Sequence, residues 1–354
     1  MHTLMCKEVE LLTFKLENDG NITNLKVINN TLLPESLKNA HELALYEWPK
    51  NRGVDTTRSN ARLLLKLLKI NSGGIASVVY NRCLNLTDCY WIRHSGDEKF
   101  ADLSLYRKPY NKFIMETSLS GVVHKLDKMI NTELTNIGSF NKAWIKKSDW
   151  CLCKKGDFRS FYAELFAYKL GLELGMNMAI YKFNQADNII ESHNFTNELC
   201  MLEHFATFGA KFGLYNETDE VQIATSLKTI SERCYKDYTN MLLLDGLISN
   251  FDRHEYNFGV LKCSDTGEIL GLAPNFDNNL ALGAGGHNTT TYILDEYLDT
   301  FGILPHQNIN ILSRQLVTEI DVDVKQEMGR PGVDTTYIIE HFDKVLQILA
   351  KYTK

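Results

Sequence analysis

The stretch "LISNFDRHEYNFGVL", Leu247–Leu261, sets two acids, an arginine, a histidine and two asparagines between apolar runs. The run before it, "YTNMLLLDGLI", has the texture of a buried helix, and "NFGVLKC" after it reads as a strand. A second apolar run, "EILGLAPNFD", follows across "SDTG", whose Asp265 and Gly267 are turn formers. The two runs therefore form a hairpin, and a hairpin brings its outer ends together. Asp252, Asn257 and Asp277 would gather at those ends. Crowded carboxylates repel, so the set makes most sense around a neutralising cation. Oxygen-only donors suit a hard ion such as Mg²⁺, which keeps waters and shares phosphate oxygens. A plainer use, with Asp252 capping a turn and Asn257 satisfying loop backbone, explains either residue singly but not the whole set.

The bulk properties narrow the field. A chain of 354 residues can bury a large core, and 44% hydrophobic with 23% charged residues is an ordinary globular balance. A net charge of −6 argues against direct nucleic-acid binding, which usually shows a basic excess. The eight cysteines show no CxxC and no zinc-ligand spacing. Cys151 and Cys153 are alternate residues of a strand, and reduced, buried thiols of a cytoplasmic protein are expected. "MHTLMCKEVELLTF" has no basic region followed by a long apolar run, so a signal peptide is not expected. No run approaches the ~20 apolar residues of a membrane span, so no membrane partner is expected.

Upstream, residues 5–30 alternate as a hairpin with Asp19-Gly20 at its turn, and helices are expected from Pro34 to Trp48 and over 58–70. Residues 75–125 are irregular and aromatic, with Tyr90, Trp91, Phe100, Tyr106, Tyr110 and Phe113, and read as a docking region. Short strands are expected around Thr132–Asn136, Lys142–Lys147 and Trp150–Lys154. "DFRSFYAELFAYKLGLELGM" is a strong helix starting near Asp157 and ending near Gly175, and "NMAIYKFN" and "NELCMLEHFATF" read as strands. Beyond about 219 the chain is largely helical apart from the hairpin. "GAGG", Gly283–Gly286, reads as a mobile loop without a phosphate-loop signature.

The order Asp252, Asn257 five residues on, then Asp277 matches the layout of protein kinases, where an Asp orients the attacking hydroxyl and the later Asn and Asp bind metal. The local order here is Asp-Arg-His instead of the usual His-Arg-Asp. "NFDRHEYNFG" and "LAPNFDNNLALG" resemble the catalytic and metal-binding segments of HipA-like kinases, including CtkA-type members. The string Asp-Arg-His-x-x-Asn also resembles phosphoinositide kinases. The resemblance covers roughly 130–350, with its strong motifs in 245–283.

What the resemblance implies is an α+β, bilobal protein-kinase-like fold. It has a small β-rich N-lobe over 126–210, a largely helical C-lobe over 211–354, and an extra N-terminal subdomain over 1–125. ATP and Mg²⁺ are the implied cofactors. Asp252 would accept or orient a hydroxyl, while Asn257 and Asp277 would hold the metal. Gly138 and Ser139 in "TNIGSFNKAWIKK" are similar to the short glycine loop of the family, with Lys142 as its lysine. Strand alternation puts Trp150, Leu152 and Lys154 on one face and Lys155 on the other; the resemblance favours Lys154 as the lysine on the ATP phosphates and Glu164 as its partner. Glu203, His204 and Phe205 would contact adenine through backbone groups. Arg253 is expected to fix the loop, and His254 either to fix it or to meet a phosphate or a neighbouring carboxylate.

The implied activity is protein serine/threonine phosphorylation with autophosphorylation, the partner being a protein with a Ser or Thr acceptor. The alternatives are a lipid or small-molecule kinase, and an ATP-binding pseudokinase that docks a partner through 75–125. No separate antitoxin-like DNA-binding segment is seen, so no toxin–antitoxin role is carried over.

Overall fold

Long-range pairing, more than local periodicity, organises this chain. In the computed structural model, which describes residues 1–17, 21–38, 42–50, 52–54, 60–70, 78–79, 81–96, 98–126, 132–134, 140–214, 219–286 and 288–352, it divides into two compact units. The first is Met1–Lys155 with His193–Tyr215 and Val260–Leu270; the second is Gly156–Ser192 with Asn216–Gly259 and Gly271–Lys354. Strands concentrate in the first unit and long helices in the second. Among the described residues no helix is long and apolar enough to cross a membrane.

In the first unit, His2–Cys6 lies between Val9–Leu16 and Tyr90–Arg93 in an antiparallel sheet, with Leu4 opposite both Leu12 and Ile92. Ile22–Val27 completes the sheet beyond Val9–Leu16, so the expected hairpin forms; its Asp19-Gly20 turn lies outside the described residues. Leu4, Met5, Leu11, Leu12, Phe14 and Trp91 are buried together as the core. That removes several aromatics from the docking reading of 75–125. Tyr90, Trp91 and Phe100 are core residues, Tyr106 is partly buried against them, and of the six aromatics only Tyr110 and Phe113 are exposed. Their irregular spacing reflects packing from a loop-rich segment, which has no fixed period. Thr132–Leu134 is irregular where the sequence pattern suggests a strand, and 135–136 lie outside the described residues.

Lys142–Lys146 and Trp150–Lys154 pair antiparallel as expected, turned by the Lys147 N–H donating to Asp149 O at 2.9 Å. A three-stranded sheet is built from Cys200–His204, Gly259–Cys263 and Ile269–Leu272, with Gly259–Cys263 central. The strand read into "NELCMLEHFATF" thus stops at His204, and Phe205–Phe208 is a helical turn. Gly267 takes φ +75 at the hairpin turn, where a Cβ would also meet Thr31 O at 2.9 Å. Lys262 and Glu203 form an ion pair at 2.7 Å with side chains 1% and 4% exposed. Glu203 also accepts from the Glu35 N–H at 2.7 Å.

In the second unit, Asp157 caps the helix Phe158–Glu173 by accepting from Ser160 N–H at 2.8 Å. Phe166 of that helix packs on Phe342 with ring centroids 5.5 Å apart, and Tyr162 donates to buried Asp321 at 2.6 Å. The helix Glu232–Ile248 buries Leu243, Leu244 and Leu247, and His341 donates from Nε2 to Leu247 O at 2.9 Å. Gly246 allows Tyr292–Phe301 to approach closely, since a Cβ there would lie 2.9 Å from Leu294 Cα. Tyr181–Asn184 and Ile189–His193 pair antiparallel; the second of these strands has no counterpart among the expected elements.

The buried Lys262–Glu203 pair generates a stability prediction. Lys262→Met should lower stability in urea denaturation by about 3–5 kcal/mol, because Glu203 is left buried without its cation. Adding Glu203→Leu should recover much of that loss. Unchanged stability of the single variant would contradict the pair's structural role.

Candidate active site

The helix Glu232–Ile248 ends on Ser249, a non-glycine residue at φ +53. This left-handed residue turns the chain out of the helix, and Asn250 N–H returns to Asp245 O at 2.9 Å. The Asn250 side chain then donates to Asp245 Oδ1 at 2.7 Å and accepts from the Asp252 N–H at 3.2 Å. The loop is tight: His254 N–H donates to Asp252 O at 2.9 Å, and Asn257 N–H to His254 O at 2.8 Å.

Arg253 is the centre of the arrangement, its side chain only 7% exposed. Its Nε and Nη2 make a two-pronged contact with Asp245, at 2.8 and 2.9 Å. Nη1 donates to Asn257 O at 2.7 Å and Phe276 O at 2.8 Å. Nη2 also reaches Asn275 Oδ1 at 2.9 Å and Asn278 Oδ1 at 2.7 Å. One guanidinium therefore joins the loop bearing Asp252 to the segment bearing Asp277. Arg253 fixes the loop, as its position in the sequence led one to expect.

Asn257 donates its side-chain amide to Asp252 O at 2.8 Å and lies 3.4 Å from Asp252 Oδ2. Burial raises the Asp252 carboxyl above the ordinary range, with the Asp277 charge adding to it, against the opposing pull of His254 and Arg253. A carboxylate raised in this way is better suited to accept a proton. Asp277 sits at φ +63, a left-handed conformation that Asp tolerates better than most residues. Its neighbours hold it there. Phe276 O is bound by Arg253, Asp277 N–H donates to Tyr181 Oη at 3.1 Å, and Asn278 N–H donates to Glu164 Oε1 at 3.1 Å.

Among the described residues, no group of three or more His, Cys, Asp or Glu side chains gathers as a self-sufficient metal site. Asp252, Asn257 and Asp277 supply only oxygen donors of use to a cation, two carboxylates and an amide. That donor set fits Mg²⁺, which fills the rest of its shell with water and phosphate.

The other expected site residues are placed as follows. Glu164 is fully buried in the second unit, one peptide from Asp277, while Lys154 belongs to the first unit. Lys142 and Lys154 face each other directly across their two strands, both buried at 6% and 5% exposure. Like charges placed directly opposite are unfavourable, so the pair favours an anionic neighbour. Lys155 is partly exposed, and its Nζ donates to Ser120 Oγ at 3.0 Å. Glu203, His204 and Phe205 span the end of a strand and the start of a helical turn, and the Glu203 carboxylate is engaged by Lys262. His254 is exposed and accepts at Nδ1 from the Tyr256 N–H at 3.2 Å. Gly138 and Ser139 lie outside the described residues. Asp245, Asn275, Asn278 and Tyr181 were not picked out from the sequence. Asp245 carried the one available signal, an acid inside a run of leucines.

No family model matches the sequence, and no curated protein matches it. Among solved structures, HipA of Shewanella oneidensis, determined with HipB and its operator DNA, matches with a TM-score of 0.65 at 11% identity. The match covers 100% of this chain and 97% of that one. The chain has a HipA-like fold. The proinflammatory kinase CtkA of Helicobacter pylori matches at TM-score 0.41 and 16% identity, over 60% of this chain and 90% of that one. The choline kinase LicA of Streptococcus pneumoniae matches at 0.21 and 12%, over 64% and 92%. The small antiparallel sheets and long helices described above make the chain an α+β fold.

Arg253 is the residue to test. Arg253→Met should destabilise the protein by about 3–5 kcal/mol, because Asp245 is left buried without a counter-charge. Arg253→Lys keeps the charge but not the fork, so amide exchange in 250–257 and 275–278 should accelerate. Unaltered exchange in Arg253→Lys would remove Arg253 from its central role.

Proposed function

We propose that this chain is an ATP-dependent phosphotransferase whose acceptor is a Ser or Thr hydroxyl of a protein, its own chain included. The observation that carries the reading is the joining of Asp252, Asn257 and Asp277 by the single guanidinium of Arg253, within a HipA-like fold. Magnesium-bound ATP, when present, supplies an electrophilic phosphorus and a charge-neutralised leaving group.

The residues then divide the work. Asp252 orients the acceptor hydroxyl and takes its proton, helped by a carboxyl raised above its ordinary range. The Asn257 amide oxygen and the Asp277 carboxylate hold the cation; the Asn257 amide hydrogens, directed at Asp252, leave its oxygen for that purpose. Glu164 and Tyr181 position Asp277 through its backbone. In the first unit, Lys154, with Lys142 opposite, is assigned to phosphate oxygens. Glu203, His204 and Phe205 are assigned to adenine through their backbone groups, and His254, exposed beside Asp252, to a phosphate. Transfer of this kind depends on placement and charge stabilisation, so losing one placed group is costly.

The test is intact-mass spectrometry after incubation with Mg²⁺ and ATP, alone and with a mixture of candidate protein substrates, with ADP release followed in parallel. Wild type should gain about 80 Da per phosphoryl group. Asp252→Ala should slow transfer by roughly 10²-fold or more while still binding ATP. Asp277→Ala should lose Mg²⁺-dependent ATP binding. ADP release without protein modification would overturn the protein acceptor in favour of a small molecule or lipid. ATP binding with neither product would overturn the enzymatic reading.

A further inference from the structure

The cysteines divide by environment. Cys6, Cys83, Cys89, Cys151, Cys153 and Cys234 are buried, whereas Cys200 and Cys263 are partly exposed. Burial pushes the Cys6 and Cys83 thiols up to about 12, which keeps them protonated and unreactive. The two partly exposed thiols lie on neighbouring strands of the three-stranded sheet.

Their register follows from contacts along the two strands. Ser264 N–H donates to Leu199 O at 3.1 Å, and Lys262 meets Glu203 at 2.7 Å. As one strand advances from 199 to 203, its partner runs back from 264 to 262, so the strands are antiparallel. With Leu199 opposite Ser264, Cys200 falls opposite Cys263. The side-chain faces agree: Met201, Glu203 and Lys262 are buried, while Cys200 and Cys263 point away from that side.

The backbone shows what kind of pair this is. Cys263 N–H donates to Glu268 O at 2.8 Å and Cys263 O accepts from Gly267 N–H at 2.8 Å, both on the hairpin side. Cys200 N–H donates to Asn197 O at 3.2 Å, and Cys200 O accepts from Asn197 N–H at 2.8 Å. Neither cysteine directs its backbone groups at the other, which defines a non-hydrogen-bonded antiparallel pair. Such pairs hold their Cα atoms roughly 4.5 Å apart. A disulfide accepts separations of roughly 4.4–6.8 Å.

We propose that Cys200 and Cys263 form a two-thiol oxidation site, with Cys263 as the attacking sulfur and Cys200 as the resolving one. The Thr266 hydroxyl and the N–H groups of Asp265 and Thr266 donate to the Cys263 sulfur and hold its thiol below the ordinary range, whereas burial raises that of Cys200. With a peroxide as oxidant, the Cys263 thiolate attacks one peroxide oxygen, the O–O bond breaks, and the departing oxygen takes a proton to leave as water. Cys263 is then a sulfenic acid. The Cys200 sulfur attacks it, the S–O bond breaks, and a second water carries away the hydroxyl and the Cys200 proton. Two thiols and one peroxide thus give one disulfide and two waters. An exposed disulfide of this kind is of the labile class, readily returned by a thiol reductant.

The test uses the full chain, reduced, freed of reductant and treated with hydrogen peroxide, then alkylated under denaturing conditions and mapped without reduction. Before alkylation the expected product is a monomer lighter by about 2 Da than the reduced chain, and mapping after alkylation shows one linked peptide pair that contains Cys200 and Cys263. Cys200→Ser should leave Cys263 as a sulfenic acid captured by dimedone. Cys263→Ser should leave Cys200 as a free thiol. Linkage through any other cysteine, a disulfide between chains, or dimedone capture at Cys200 in Cys263→Ser would overturn the assignment. So would the absence of a linked peptide from wild type, a result that does not depend on how the variants fold.

Discussion

The Arg253 guanidinium is the constraint on which the second unit's polar centre depends. Its contact with Asp245 ties it to the helix that precedes the loop, and its remaining hydrogens reach the carbonyls of Asn257 and Phe276. Those carbonyls stand beside the two residues assigned to the cation. A buried guanidinium unpaired would be costly, and so would Asp245 alone. The loop and the Asp277 segment are therefore stable only when both close around it. Asp277 keeps its left-handed backbone because its own and neighbouring peptides are held by Arg253, Tyr181 and Glu164.

Buried cations serve the first unit in a similar way, with an instructive difference. Arg52 pairs with Asp88 at 2.7 and 2.9 Å and also donates to Cys83 O, holding an irregular turn in which Arg82 and Cys83 both have positive φ. Lys262 pairs with Glu203 at 2.7 Å, and it is the carboxylate that reaches further, to the Glu35 N–H. The planar fork serves several acceptors at once, whereas the ammonium acts as a compact counter-charge. Where several loop carbonyls need a donor, arginine is found; where one carboxylate needs a charge, lysine suffices.

The hairpin and the spacing of Asp252, Asn257 and Asp277 were legible because they are local: turn residues, apolar runs and a five-residue step. The partners of Arg253 were not. Asn275 and Asn278 lie more than twenty positions away from it, and no short-range pattern marks them as its acceptors. Tyr181 and Glu164 meet the Asp277 segment across 96 and 114 positions. Trp91 and Phe100 were misread for a related reason. Both are buried by elements distant in sequence, so their irregular local texture conveyed exposure where packing was the cause. Nothing local marks Lys262 for burial, and its pairing with Glu203, 59 positions earlier, explains it.

The first unit is not made from one continuous piece of chain, and this shapes its birth on the ribosome. Val260–Leu270 belongs with Met1–Lys155, and Cys6 and Lys7 contact Ser264 and Asp265 across 258 positions. Synthesis runs at roughly 5–20 residues per second, so the segment that completes this unit emerges on the order of ten seconds after residue 155. Throughout that interval the N-terminal sheet has been made but lacks the contacts that Val260–Leu270 supplies, and Cys200–His204 emerges without its partner strand. Closure over so long a separation is itself slow, because the loop entropy is lost before the contacts form. The nascent chain therefore passes through a prolonged stage with unfinished sheet edges and exposed apolar surface, when protection by chaperones matters most.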